Sequence, residues 1–338
     1  MSSTNDPPKP IQITHVIHPD NKAHFKALAT SKKDIRTTRS TIHTICSKCL
    51  KSDEEPGLAL RRCGKCKGVW YCSKECQIKH WPHHKKSCNI VDGSGILKLV
   101  NNLNSNPLFN QYLQACFILD FDLLRHPQLD KPFMARIDIG IEPADTTDLF
   151  NIFLGQPLSE EKIKGMVQVN AFTPATPAQM AELTPKRKEI WRKARESLNK
   201  GGFPGDSMGL MEFANGESEM TITVEVHIQR AAMQLVELGA STPFEMTSAI
   251  TGEVTKLPFT VETCMEFMNT HIRADKKNQL LLRTEMRPTD IQIIRDAGMG
   301  SGDSDRVPVQ ILKEKMAREQ IFRPLIVNNG SLEQVLLV

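Results

Sequence analysis

The strongest constraint on this chain is the clustering of its cysteines, because seven of the nine lie in the 43 residues from Cys46 to Cys88. The other two, Cys116 and Cys264, lie in apolar segments and are interpreted as small buried residues. Within the cluster, the potential metal ligands form four closely spaced pairs: Cys46/Cys49, Cys63/Cys66, Cys72/Cys76 and His84/Cys88. The first two pairs are C-x-x-C turns. The last two have i,i+4 spacing, which places both side chains on one face of a helix.

Thiolate and imidazole ligands favour zinc over hard cations such as magnesium or calcium. Eight such ligands divide into two tetrahedral sites, the closed geometry of structural zinc, which leaves no metal position open for catalysis. A polar segment of this length cannot fold on an apolar core, so metal binding is expected to supply its folding free energy. The sequence therefore predicts two zinc ions in residues 46–88.

The histidine of the last pair is not fixed by spacing alone. His80, His83 and His84 all lie within reach of Cys88. His84 is the preferred ligand because it lies one helical turn from Cys88, whereas His80 lies two turns away.

The residues just described resemble the MYND-type zinc finger. The resemblance rests on Cys46-x2-Cys49, Cys63-x2-Cys66, Tyr71-Cys72-x3-Cys76-Gln77 and Trp81-x2-His84-Lys85-x2-Cys88. It implies a cross-braced arrangement, which spacing by itself does not show. By this implication one zinc binds Cys46, Cys49, Cys72 and Cys76, and the other binds Cys63, Cys66, His84 and Cys88.

The resemblance also implies a function, because MYND fingers act as protein-interaction modules that bind short proline-containing peptides. The positions implied to contact the peptide are Gln77 and Trp81. An indole can receive a proline ring, and an amide can bond to a peptide backbone. The alternative for Trp81 is a small-core aromatic that holds the last helix of the finger in place.

Charge is distributed unevenly along the chain. Residues 46–88 contain ten Lys or Arg against four Asp or Glu, whereas residues 89–338 contain 26 basic and 32 acidic residues. The basic residues of the finger are dispersed and form no recognition helix, so we do not expect nucleic acid as a partner. No apolar stretch approaches the ~20 residues of a membrane span, and no secretory signal is evident. These features favour an intracellular protein, cytoplasmic or nuclear.

The sequence predicts three parts. Residues 1–45 are an N-terminal extension that is partly disordered or forms a short helix, and residues 46–88 are the finger. Residues 89–338 have the pattern of an ordinary globular domain. Three segments alternate apolar and polar residues, which predicts half-buried strands. Their apolar positions are Ile137/Ile139/Ile141, Val167/Val169/Ala171 and Ile222/Val224/Val226. Helices are predicted over residues 177–200, 258–270, 278–286, 288–297 and 309–320. The fold class is therefore α+β, a small antiparallel sheet with helices on one side. In this organisation the chain resembles fungal MYND-finger proteins with an uncharacterised C-terminal body. We use the body as the name for residues 89–338 of this chain.

An enzyme in residues 90–338 is the alternative to an adaptor. One class of enzyme that carries a MYND finger is the SET-type lysine methyltransferases. Such enzymes resemble one another in a glycine-rich loop before the finger and a tyrosine late in the chain. Residues 1–45 contain no glycine, and the only tyrosines are Tyr71 and Tyr112. We therefore expect a non-enzymatic protein and no catalytic residues.

Overall fold

The computed structural model describes residues 20–51, 57–85, 88, 94–158, 162–216, 221–247, 254–299 and 305–322. Residues 1–19 of the predicted extension and residues 89–93 lie outside the described residues. Within the described ranges, the chain forms α-helices and strands of an α+β protein, as predicted.

The strands form one large sheet and two hairpins. They are β1 (Ile42–His43), β2 (Arg61–Arg62), β3 (Trp70–Tyr71), β4 (Met134–Pro143), β5 (Lys164–Pro174), β6 (Met208–Asn215), β7 (Thr221–His227), β8 (Phe244–Thr247), β9 (Val254–Leu257) and β10 (Arg283–Glu285). The large sheet has six strands in the order β1-β7-β6-β4-β5-β10. Strands β2 and β3 form the hairpin of the finger, and β8 and β9 form the other hairpin.

The six-stranded sheet is mixed: four of its five strand pairs are antiparallel, as predicted, and one is parallel, so a small, wholly antiparallel sheet is wrong. Strands β4 and β6 pair in parallel, from Met134↔Leu210 to Ile139↔Asn215, whereas the other pairs are antiparallel. The sequence pattern did not predict β6, because all eight of its residues are buried. A strand covered on both faces has no alternation of apolar and polar residues.

The α-helices lie on both faces of this sheet. They are α1 (Lys22–Leu28), α2 (Lys32–Thr38), α3 (Lys74–His84), α4 (Ser94–Ser105), α5 (Pro107–Asp120), α6 (Thr146–Phe153), α7 (Pro177–Ala181), α8 (Pro185–Lys200), α9 (Arg230–Ser241), α10 (Val261–Ala274), α11 (Pro288–Met299) and α12 (Val307–Arg318). Short 3-10 helices occupy Arg39–Thr41 and Gln320–Phe322.

The prediction that the helices lie on one side of the sheet is also wrong, as two adjacent residues of β6 show. Met211 belongs to the main core, the apolar cluster that also contains Phe117 of α5 and Met268 of α10. Its neighbour Leu210 packs instead with Ile190 of α8. Because successive strand residues point to opposite faces, α8 lies on the face opposite α5 and α10.

Residues before the finger contribute to the same main core. Phe25 of α1 is buried in it, and β1 extends the sheet by pairing Ile42 with Val224 and His43 with Thr223. The His43 Nε2 atom lies 2.8 Å from Glu225 Oε1. Cys46 therefore follows three residues after a strand that is fixed in the large sheet.

The helix predicted over residues 278–286 is wrong, because Arg283–Glu285 forms β10 and pairs with β5. Asn278 and Leu281 both have positive φ, 54° and 59°, which a helix cannot accommodate. Leu280 and Leu282 are buried, and Leu281 between them is exposed. Leu281 N–H donates to Asn278 C=O at 3.1 Å, so these residues form a turn that leads into β10.

Candidate metal centre

The two C-x-x-C segments adopt the same local structure. After each second cysteine comes a residue with positive φ, Leu50 at 63° and Lys67 at 54°. Its backbone N–H donates to the carbonyl of the first cysteine of the turn, at 2.9 Å for Leu50 to Cys46 and 3.0 Å for Lys67 to Cys63. Each turn therefore directs two sulfurs toward one point.

The sulfurs of Cys46, Cys49, Cys72 and Cys76 all lie within 4.8 Å of one another. The Cys49 and Cys72 sulfurs are 3.4 Å apart, and the Cys72 and Cys76 sulfurs are 3.5 Å apart. A tetrahedron with Zn–S bonds of ~2.3 Å has edges of roughly 3.8 Å. The cluster therefore has the size of a zinc site before any adjustment of the chain.

Cys63, Cys66, His84 and Cys88 form a second cluster, again with all ligand atoms within 4.8 Å and all four residues buried. The Cys63 and Cys88 sulfurs are 3.8 Å apart, and Cys66 Sγ lies 3.5 Å from His84 Nε2. His80 lies outside this cluster, and its Nδ1 is 3.0 Å from the hydroxyl of Tyr71. The ligands of the two clusters alternate along the chain, as the resemblance implied.

The acidities of the thiols fit a site that holds a cation. Burial opposes ionisation of Cys63, but the backbone N–H of Cys66 and a hydrogen bond with His84 outweigh it and lower the pKa of this thiol to about 6. Burial also opposes ionisation of Cys46, yet backbone N–H groups led by that of Cys49 lower its pKa to about 7. In contrast, burial and the neighbouring sulfur of Cys63 raise the pKa of Cys88 to about 12.

These opposite shifts reflect a balance of hydrogen bonding, burial and charge within each cluster. Hydrogen bonds, chiefly from the backbone, stabilise the first thiolate, whereas burial and repulsion from that thiolate oppose ionisation of the others. A divalent cation removes that repulsion and allows all the thiols to ionise. The donor set therefore fits zinc, and the two clusters would each hold one ion with every coordination position filled by the protein.

Metal ligands also make up most of the interior of the finger. Its buried cluster consists of four of the cysteines together with Val69 and Tyr71. The hairpin β2–β3 connects the two clusters, since Cys63 N–H donates to Val69 C=O at 2.9 Å and Ser47 N–H donates to Trp70 C=O at 2.9 Å. Trp70 is half-buried against the main core of the body, with the Arg62 guanidinium 4.6 Å from its ring centre.

Helix α3 presents an apolar surface to solvent on the side away from the metal clusters. Ile78 is 60% exposed and Trp81 is 42% exposed, whereas Gln77 is half-buried. The Trp81 ring packs edge-on against the ligand His84, with ring centres 5.9 Å apart. Trp81 is therefore an outward-facing aromatic that the metal centre supports, and not an interior residue.

The body contains a buried ion network that sequence reasoning missed. Lys315 and Glu319 are fully buried, as is Glu142 at 2% exposure, and Lys315 Nζ contacts Glu142 Oε1. Arg273 Nη2 lies 2.5 Å from Glu319 Oε2 and 3.5 Å from Glu142 Oε2. Burial alone would raise the pKa of Glu319, but Lys315 and Arg273 outweigh it and hold that pKa below its ordinary value.

A cavity of about 30 Å³ adjoins this network, between β4 and helices α11 and α12. Asp138, Glu142 and Asp290 line it together with apolar residues of α11 and α12. Asp138 and Asp290 are paired with Arg136 and Arg287. The volume corresponds to about two water molecules, and the charges on its wall are balanced by the protein.

This geometry defines the class of the N-terminal module as a two-zinc MYND finger. Residues 46–88 match the MYND finger family, and residues 91–322 match the family described as Domain of unknown function (DUF8205). The second match covers more than half of the chain, and the chain therefore belongs to that family. MYND fingers are protein-interaction modules.

Relatives of known class match in the finger region. They include a SET and MYND domain-containing protein of Dictyostelium discoideum, 41% identical over 76 residues, which is 22% of this chain and 14% of that protein. Histone-lysine N-methyltransferase SMYD3 of Homo sapiens is 43% identical over 47 residues, 14% of this chain and 10% of the enzyme. SET domain and MYND-type zinc finger protein 6 of Schizosaccharomyces pombe is 36% identical over 88 residues, 25% of this chain and 17% of that protein.

The matched part of this chain thus spans less than a fifth of the length of each of these relatives. No solved structure matches the chain. Within the described ranges, no helix combines the length and apolar character required to cross a bilayer.

Proposed function

We propose that this protein is a non-enzymatic adaptor whose finger binds proline-containing peptides of partner proteins through Gln77 and Trp81. The observation that carries the proposal is the exposed indole of Trp81, 42% accessible and braced against a metal ligand. A rigid, exposed aromatic loses little conformational entropy on binding and presents a flat face to a proline ring. The adjacent Gln77 amide can bond to the peptide backbone.

Other observations support an adaptor rather than an enzyme. The two metal clusters have no coordination position left for a substrate, because four protein ligands converge on each. Both tyrosines of the chain are buried, and Tyr71 is bonded to His80, which leaves neither free to orient a lysine amine. We also propose an intracellular location, since zinc–thiolate sites persist where thiols stay reduced.

The proposal is tested by titrating a proline-rich peptide into the full-length, zinc-loaded protein and measuring the heat of binding. Trp81→Ala should weaken binding roughly 10- to 30-fold, as expected when a central aromatic contact is removed. Phe203→Ala is the matched control, because Phe203 is an aromatic of the body that is 51% exposed. Zinc content is measured on both variants. Equal binding by Trp81→Ala and the unmodified protein would remove Trp81 from the peptide site.

A further inference from the structure

The outward face of α3 carries two lysines in addition to Ile78 and Trp81. Lys74, Ile78, Trp81 and Lys85, which we call the α3 stripe, follow one another at intervals of four, three and four residues. At 100° per residue these four positions lie within about 60° of one another around the helix axis. All four side chains are exposed. Lys85 continues the helical geometry, since its φ and ψ are −56° and −27° and its N–H donates to Trp81 C=O at 2.8 Å.

The order of residues along the stripe places an apolar centre between two cations. Neither Lys74 nor Lys85 forms an ion pair with any residue that the structure describes. The helix has one acidic residue, Glu75, which lies about a quarter-turn away from the stripe. The Glu75 carboxylate is hydrogen-bonded to Ser73 at the start of the helix, and the charges of Lys74 and Lys79 also act on it.

The stripe also contains a backbone acceptor. Pro82 lies inside α3 and has no N–H to donate to the carbonyl four residues before it, which belongs to Ile78. Among the large apolar side chains that the structure describes in the finger, Ile78 is the most exposed. Its carbonyl therefore lacks its regular helical donor at the centre of the stripe.

We propose that the ligand of the finger is a proline-containing peptide with an acidic residue on each side of its apolar centre. This inference rests on the proposed function and specifies the partner. Lys74 and Lys85 are 11 residues apart, or about 16 Å along the helix axis at 1.5 Å per residue. An extended or polyproline peptide rises about 3.1–3.4 Å per residue, so its two acidic residues are about five positions apart.

In this arrangement the peptide runs along the stripe. Its proline and apolar side chains contact Trp81 and Ile78, and its carboxylates lie beside Lys74 and Lys85. Exposed ion pairs contribute little individually and are screened by salt. We therefore expect the two acidic residues to strengthen binding by roughly three- to tenfold at low salt, and to have almost no effect at ~0.5 M salt.

The experiment uses the full-length, zinc-loaded protein and two peptides, Glu-Pro-Leu-Pro-Ala-Glu and the same peptide with both Glu replaced by Gln. Calorimetry at low and high salt gives the affinity of each. The Glu peptide should bind more tightly at low salt, and Lys74→Gln and Lys85→Gln should each remove part of that advantage. Lys79→Gln is the matched control, because Lys79 is an exposed lysine of the same helix about a third of a turn away from the stripe.

Several results would overturn the inference. If the two peptides bind equally at low salt while Trp81→Ala still weakens binding by roughly 10- to 30-fold, the acidic specificity fails and the proposed function stands. If Lys79→Gln costs as much as the stripe variants, the attraction is a general effect of the basic finger. If neither peptide binds, the proposed function fails as well. Binding of a single-stranded oligonucleotide that depends on Lys74 and Lys85, or a dimer that Trp81→Ala dissociates, would assign the stripe to a different occupant.

Discussion

Removal of zinc from the finger is expected to unfold residues 46–88 and also to lower the stability of the body without unfolding it. The first effect follows because the buried interior of the finger consists mainly of metal ligands. The second follows because the finger is coupled to the body by a packing contact and by chain connectivity. Trp70 packs on the main core, and β1 ends three residues before the ligand Cys46.

The size of the second effect can be worked out from these contacts. Burial of a large apolar side chain is worth about 1.5–3 kcal/mol, so the half-buried Trp70 contributes about 1–2 kcal/mol. The short β1–β7 ladder and the His43–Glu225 contact depend on a chain that the finger holds in place. Their partial fraying costs about 1–2 kcal/mol more, at ~0.5–1.5 kcal/mol per hydrogen bond. The total is about 2–4 kcal/mol, or roughly 5–15 °C in Tm for a domain of this size.

Calorimetry and hydrogen exchange on the full chain, with and without a chelator, would measure both effects. Amides of residues 57–85 should lose protection, and the transition of the body should move down by the stated interval and return when zinc is added back. The variant Trp70→Ala separates docking from metal binding. It should retain two zinc ions and reproduce the Trp70 part of the shift, whereas Phe203→Ala should leave the transition near its original temperature.

Two outcomes would refute the reasoning. A Tm of the body that is unchanged by chelation would mean that Trp70 and β1 do not couple the finger to the sheet. Loss of all structure at once would mean that the body cannot fold without the metal, although its main core is assembled from residues outside the finger.

The buried ion network gives two further predictions. Lys315→Met should destabilise the body by about 3–5 kcal/mol in urea unfolding, because it leaves two buried carboxylates with one cation, whereas Lys313→Met on the same helix should change little. Against the effect of burial, Lys315 and Arg273 hold the pKa of Glu319 below its ordinary value of 4.5. The ionised carboxylate therefore stabilises the fold above about pH 4.5, and this contribution is lost as the pH falls through the folded-state pKa. Glu319→Gln should therefore flatten the decline in unfolding free energy below that pH, and an unchanged slope would show that other carboxylates dominate it.

The metal centre could be predicted from the sequence because its determinants are local. Each pair of ligands is separated by three or four positions, and two of the pairs lie in C-x-x-C turns. The helix face predicted for each of the other two pairs is wrong, because Cys72 precedes α3 and Cys88 follows its last residue, His84. Both pairs nevertheless converge on one site each. The alternation of ligands between the two clusters required a family resemblance, since it depends on how the hairpin β2–β3 folds back. The exposure of Trp81 also required the structure, because the same residue at the same spacing could equally have filled a small core.

The body was harder to predict, for reasons visible at particular residues. Strands β4, β5 and β7 alternate apolar and polar residues in sequence, and this pattern predicted them. The predicted half-burial is wrong for β5, because residues 165–170 are all buried, and β6 is buried along its whole length and has no alternation. The sequence predicts a helix over residues 278–286, but the positive φ of Asn278 and Leu281 excludes a helix there. Lys315 and Glu142 are 173 positions apart, and local spacing does not indicate their pairing. Contacts of this kind are set by topology and not by pattern.

The way in which the finger joins the body bears on how the peptide site works. A finger that is held only by metal would move freely on flexible linkers, and its peptide site would take any orientation relative to the body. Here the chain enters the finger from β1, which pairs with β7, and the hairpin returns to the main core through Trp70. Helix α3 begins four residues after Trp70, with Ser73 as its N-cap. The α3 stripe is therefore held in a fixed direction relative to the sheet, and a peptide bound there would present its partner protein to one particular side of the body.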